Sequence, residues 1–211
     1  MLFELTEVLT CPRCGPRHGL ILLVQASEGR RVRRGWLGCA NCGTDFPVRR
    51  GVADLRLEPE TWQPAEPFLG DDLAVKIAAL SGLTEGPGYL LLDEPLRDLA
   101  GDVADLIPGV EVLALGLGDD EEERPGVSRI LCDRGIPVAD YRLRAAAGTP
   151  GEDRLRLQTL ARTVMPRGRL VALDLGGRGV EALERFGLEL LGHEGRTVVA
   201  ERKRYDSSSP D

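Results

Sequence analysis

At 211 residues and 42% hydrophobic, the chain has room for a small module beside a domain of ordinary size, and enough apolar content for a packed core. No apolar run approaches the roughly 18 residues of a membrane-spanning helix, which excludes a helical membrane protein. The formal net charge of −7 is unevenly spread: residues 1 to 56 carry nine arginines against five acids, and the remainder carries 18 basic and 29 acidic residues.

Leu2 to Leu9 is a short apolar segment with neither the charged start nor the long apolar core of a secretory signal, so a cytoplasmic protein is expected. It leads into Cys11-Pro12-Arg13-Cys14-Gly15, and a second knuckle follows as Cys39-Ala40-Asn41-Cys42-Gly43. Each C-x2-C turn brings two thiolates to one ion at about 2.3 Å, and two such turns complete the tetrahedron that Zn2+ prefers. The glycine after each pair takes a left-handed conformation without steric cost and turns backbone N–H groups toward sulfur. Two disulfides would need an oxidising compartment. Cys11, Cys14, Cys39 and Cys42 are therefore expected to hold one structural zinc, and four protein thiolates leave no open position for activating water.

Between the knuckles, Leu20 to Val24 reads as a strand, residues 26 to 30 as a turn, and Arg31 to Leu37 as the returning strand of a hairpin that sets the two pairs side by side. After Cys42 come Phe46-Pro47-Val48, Gly51-Val52 and Asp54-Leu55-Arg56. The order Leu5-Thr6, Leu9, Cys11-Pro12-x-Cys14-Gly15, a strand, Leu37-x-Cys39-x-x-Cys42-Gly43-x-x-Phe46-Pro47-Val48-x-x-Gly51-Val52-x-Asp54-Leu55-Arg56 resembles the Trm112-type zinc ribbon over residues 5 to 56. That resemblance implies a module that binds and stabilises class I methyltransferases, many of them acting on tRNA, rRNA or release factors, and that in bacteria is often fused ahead of a methyltransferase domain.

Residues 57 to 70 read as a linker, because Pro59, Pro64 and Pro67 forbid a continuous helix, and Trp62 and Phe68 are expected to pin it to a neighbouring surface. From residue 71 helices and strands alternate. Helices are expected over residues 73 to 80, 96 to 106, 151 to 165 and 180 to 186, and strands over 89 to 92, 110 to 115, 127 to 132, 141 to 147 and 169 to 175. Leu188 to Gly192 with Thr197 to Arg202 forms a closing hairpin, the acidic run 119 to 123 a solvated loop, and residues 205 to 211 a disordered tail. The fold class expected is α/β, a zinc ribbon at 1 to 56 and a doubly wound Rossmann-like domain at 71 to 204.

The passage Leu160 to Val171, a helix, a Pro166-Arg167-Gly168 turn and a strand, together with the closing hairpin, is similar to the end of the class I methyltransferase fold and extends the resemblance over about residues 71 to 203. In that family the first strand ends in an acid followed by Gly-x-Gly-x-Gly, where bare backbone approaches S-adenosylmethionine. Asp93 matches the acid, but Pro95, Arg97 and Leu99 stand where the glycines belong, and Gly116 stands where the second strand should end in the acid that holds the ribose, with Asp119 and Asp120 three and four residues further on. Zinc is thus the cofactor expected, and S-adenosylmethionine is doubtful.

Cys132, His18 and His193 lack sequence neighbours that would make them catalytic, and the glycine-rich Asp174 to Gly179 reads as a turn, since no Lys-Ser/Thr follows it. Three functions compete: a non-catalytic accessory or scaffold subunit for a methyltransferase or translation partner, a divergent methyltransferase, and an RNA-binding module using Arg31, Arg33, Arg34, Arg49 and Arg50.

Overall fold

The computed structural model describes residues 1–61, 63, 65–116 and 124–204. One mixed sheet of 11 strands runs through the described chain in the order β1-β2-β3-β4-β7-β6-β5-β8-β9-β11-β10.

The N-terminal part contributes β1 (Ile21–Glu28), β2 (Arg31–Gly38), β3 (Asp45–Arg49) and β4 (Val52–Asp54), each antiparallel to the next. The hairpin expected between the knuckles is β1 and β2, paired from Ile21↔Gly38 to Glu28↔Arg31. Beyond them lie α1 (Leu73–Ser81), β5 (Gly88–Leu92), α2 (Ala100–Leu106), β6 (Val110–Leu115), β7 (Val127–Leu131), β8 (Leu143–Gly148), α3 (Arg154–Thr163), β9 (Val164–Ala172), α4 (Gly177–Ala182), β10 (Leu188–Glu194) and β11 (Thr197–Arg202). Strands β5, β6 and β8 are buried almost throughout, as apolar runs covered on both faces must be.

The parallel strands run β7-β6-β5-β8-β9, and the antiparallel β11-β10 hairpin closes that side. Counting β5 as the first of these seven strands gives the order 3-2-1-4-5-7-6, with the direction of winding reversing between β5 and β8. In open α/β sheets that reversal marks the crevice where ligands bind, outside the carboxyl ends of the strands.

Two local expectations differ from what is found. The helix expected to run to Met165 ends at Thr163, and the chain is already extended in β9 by Val164, because Arg142 N–H bonds the Thr163 carbonyl and Leu143 pairs with Val164. The helix expected from Leu96 is a tight 3-10 segment, Glu94–Leu99, before α2 begins at Ala100.

Helices α1 and α2 cover one face of the sheet, packing Leu73, Ile77 and Val103 on Leu90, Leu92 and Val112. The other face is covered partly by α3 and α4 and partly by the N-terminal segment. Met1, Leu5, Val8 and Leu9 join one apolar cluster with Leu91, Leu113, Leu115, Ile130 and Val138. Backbone bonds seal that junction: Thr10 N–H to Pro137 O (2.9 Å) and Ala139 N–H to Val8 O (2.8 Å). No helix joins β7 to β8, and residues 1 to 9 fill the space such a helix would cover. At the edge, β4 pairs in parallel with β7 through Ala53↔Ile130 and Asp54↔Leu131, making the sheet continuous.

A fragment starting at residue 71 would expose these buried leucines and isoleucines, each worth about 1.5 to 3 kcal/mol when covered. Such a fragment is expected to bind a hydrophobic dye and elute as aggregate in size-exclusion chromatography, whereas the full chain elutes as a discrete species. A monodisperse, cooperatively melting fragment would show that the N-terminal cover is dispensable.

Candidate functional site

The structure brings the four knuckle cysteines together. Their Sγ atoms all lie within 4.8 Å of one another, with Cys11 to Cys42 at 3.7 Å and Cys39 to Cys14 at 3.8 Å. A tetrahedron with centre-to-sulfur distances of about 2.3 Å has edges of about 3.8 Å, so the donor set has the dimensions of a four-thiolate zinc site. Gly15 (φ +87°) and Gly43 (φ +67°) donate their N–H groups to the carbonyls of Cys11 and Cys39, both at 2.9 Å, closing each knuckle in a conformation that other residues adopt only with strain.

The sulfurs differ electrically. Side-chain and backbone hydrogen bonding with Thr44 draws the Cys42 thiol down to about 6, so it is largely thiolate at neutral pH. Burial pushes the Cys11 thiol up to about 12, so it surrenders its proton only in exchange for a cation. The Asn41 side-chain amide donates to Cys14 Sγ at 3.2 Å, an outer contact that orients a ligand sulfur. Cys132 stands apart from the cluster, with burial raising its thiol to about 11.

The second candidate is the crevice at the carboxyl ends of β5 and β6. Asp93 follows β5 directly and is 1% exposed. It faces no open space. Arg156 of α3 grips both carboxylate oxygens, with Nε 3.0 Å from Oδ2 and Nη2 on Oδ1, and Asp93 also accepts the Glu94 N–H at 2.8 Å, capping the 3-10 helix. Pro95, Arg97 and Leu99 lie on that helix, so no open loop follows the strand.

At the end of β6, the chain turns at Gly116 (φ +81°) against the Glu94 side chain; a Cβ there would lie 2.5 Å from Glu94 Cγ. The linker then crosses this edge of the sheet. Leu57 and Glu58 donate their N–H groups to the Asp133 carboxylate at 2.9 and 2.6 Å. Ala65 donates its N–H to Glu94 Oε1 (3.1 Å) and accepts from Arg97 Nη1 (2.6 Å), and Phe68 N–H bonds Pro95 O (2.8 Å). Phe68 packs on the α1–α2 side of the core. Trp62, Asp119, Asp120, the acidic run and the tail 205–211 lie outside the described residues.

The arginines of the N-terminal part are divided in role. Arg31 is held by Glu111 (3.0 Å) and the Val127 carbonyl (3.1 Å), and Arg33 by Glu28. Arg34 and Arg49 are exposed and directly opposite on β2 and β3. Asp174 to Gly179 forms a turn into α4, with Arg196 on Asp174. His18 is part-buried beside the first knuckle, and His193 sits near the β10–β11 turn.

Two residues of the crevice, Arg156 and Glu94, escape a sequence reading. Arg156 sits among ordinary helix arginines, 63 positions from its partner, and Glu94 gains its place only from the missing side chain at Gly116.

No protein-family model and no curated protein sequence matches the chain. Solved structures do. A complex between the Haloferax volcanii Trm112 methyltransferase activator and a protein described as a methyltransferase matches with a TM-score of 0.51 at 11% identity, covering 70% of this chain and 92% of that one. A tRNA methyltransferase from Aquifex aeolicus matches at 0.47 and 13% (68% and 73% covered), and a didemethyltoxoflavin methyltransferase from Burkholderia thailandensis at 0.46 and 13% (64% and 78%). The strand order and the first of these likenesses agree: the chain has a Rossmann-like α/β fold of the methyltransferase type, with a cysteine cluster in its N-terminal part.

Proposed function

We propose that this protein is a zinc-stabilised, methyltransferase-like scaffold that serves as a non-catalytic accessory subunit for a protein partner. The observation that carries it is the state of the crevice. Where methyltransferases of this type leave bare glycine backbone for the cofactor, this chain places a 3-10 helix, the Glu94 side chain against Gly116, and its own linker at Ala65 to Phe68. Asp93, the one residue matching the family's acid, is spent on Arg156.

The N-terminal part is, in this reading, a Trm112-type zinc ribbon acting in cis. It covers part of one face of the Rossmann-like sheet and extends the sheet through β4 and β7, so activator-like and methyltransferase-like pieces share one polypeptide. The partner surface is the outer face of the ribbon, where Ile21 (65% exposed), Leu23 (64%) and Trp36 (37%) form an apolar strip on β1, the edge strand among the described residues, and β2.

Titrating the zinc-loaded protein with S-adenosylmethionine and S-adenosylhomocysteine in a calorimeter is expected to give no saturable heat. Losing two ribose hydrogen bonds alone, at roughly 1.5 to 3 kcal/mol each, weakens binding about a hundredfold or more. A low-micromolar dissociation constant would replace this reading with a divergent methyltransferase. One observation favours that second reading: the Glu94 carboxylate stands at the end of β6, beside the position from which the family's ribose-binding acid projects.

A further inference from the structure

The outer face of the ribbon is a grid of three rows across β1, β2 and β3. Ile21, Gly38 and Asp45 stand in register in the first row, Leu23, Trp36 and Pro47 in the second, and Ala26, Arg34 and Arg49 in the third. Along β2 and β3 successive rows are two residues, about 6.7 Å, apart, so their side chains leave the same side of the sheet. The residues between them, Leu37 on β2 with Phe46 and Val48 on β3, are buried on the other side. The face therefore carries a carboxylate at one end, an apolar band in the middle and two cations at the other end.

Its charges find no partners within the chain. Arg34, Arg49 and Asp45 are exposed and make no side-chain hydrogen bond or ion pair among the described residues. Arg34 and Arg49 stand directly opposite each other on adjacent strands, a placement that like charges disfavour. Asp45 leans over Gly38, where a Cβ would stand 2.9 Å from Asp45 Oδ1. Because Gly38 has no side chain, a groove of about 540 Å³ opens beside this carboxylate, walled by Ile21, Leu23 and Trp36.

This pattern is complementary to itself. A two-fold axis along the middle row, between two stacked faces, lays Trp36 on Trp36 and exchanges the first row with the third. Asp45 of each copy then meets Arg49 of the other, and Arg34 enters the groove over Gly38 beside the same carboxylate. Sheets stacked about 10 Å apart bring such facing side chains into contact. We infer that a second copy of this chain covers the face, in an isologous dimer centred on Trp36 with two Asp45 to Arg34 and Arg49 contacts at its rim. The inference rests on the proposed function only in taking this face as the contact surface, and it names the occupant in the free protein. Three short strands a side make an interface at the small end of specific complexes, so the dimer is expected to dissociate in the micromolar range.

The test is sedimentation velocity of the full zinc-loaded chain over a wide range of concentration, which is expected to show a monomer–dimer equilibrium. Asp45→Arg sets cations against cations, and Arg34→Asp with Arg49→Asp sets acids against acids, so each variant alone is expected to weaken the dimer tenfold or more. An equimolar mixture of the two is expected to recover most of the wild-type affinity, because every rim contact again joins opposite charges. Leu23→Ser with Trp36→Ser, which removes the apolar centre and leaves the charges, is expected to weaken the dimer at least tenfold and decides the matter even if a charge variant misfolds. Three results would overturn the inference: a monomer at every concentration, a dimer unmoved by the Leu23 and Trp36 substitutions, or a mixture of folded charge variants no tighter than either alone. A monomeric protein would leave the face to a different protein and the scaffold reading intact, whereas tight S-adenosylmethionine binding would remove that reading and leave the dimer standing.

Discussion

Protein purified without added metal is expected to contain one zinc per chain, and its removal to cost on the order of 10 kcal/mol of folding free energy. The magnitude follows from where the ligands sit. Cys11 and Cys39 are buried in the same apolar cluster as Leu5, Val8, Leu9 and Phe46, and that cluster is continuous with the sheet face at Leu91 and Leu113. Losing the metal leaves four converging sulfurs, one of them with its proton locked on by burial, and loosens the segment that covers the central strands. Thermal unfolding before and after chelation, alongside elemental analysis, measures this; Cys39→Ser should reproduce the chelated state. Metal-free protein with an unchanged transition would end the zinc assignment. The sign of the pH dependence also follows. Binding expels protons from thiols such as Cys11, whose value lies near 12, so apparent affinity should rise by a decade or more per pH unit between about pH 7 and 9.

Asp93→Ala is expected to destabilise the fold by about 3 to 5 kcal/mol, the loss typical when one member of a buried ion pair is removed and the other stays. The pair is bidentate, joins the end of β5 to α3, and also caps the 3-10 helix that follows the strand. Replacing both members, as Asp93→Ala with Arg156→Leu, should restore much of that loss, because no uncompensated charge is left buried. Chemical denaturation of the wild type, both single variants and the double variant measures the coupling. A cost below about 1 kcal/mol for Asp93→Ala would show that the carboxylate is not the structural tie described here, and would reopen a ligand-binding role for it.

The cysteine cluster and the strands were legible in the residue order because their causes are local. A C-x2-C-G knuckle needs only a turn and a glycine, and apolar runs such as Leu90 to Leu92 announce a doubly covered strand. The start of β9 was less legible, since a helical stripe through Val164 lost to the pairing of Leu143 with Val164. Residues 95, 97 and 99 were visible too, but not what packs around them. That depended on contacts no spacing encodes: Arg156 on Asp93 across 63 positions, the linker at Ala65 on Glu94, and the first nine residues laid over the sheet between β7 and β8. Sequence determined which segments bury themselves and which sulfurs meet, through short-range periodicity and spacing. Only the tertiary structure decided that the linker packs against the 3-10 segment after β5 and that the N-terminus covers the sheet between β7 and β8, because burial against a remote surface and the pairing of distant charges depend on the whole fold closing at once.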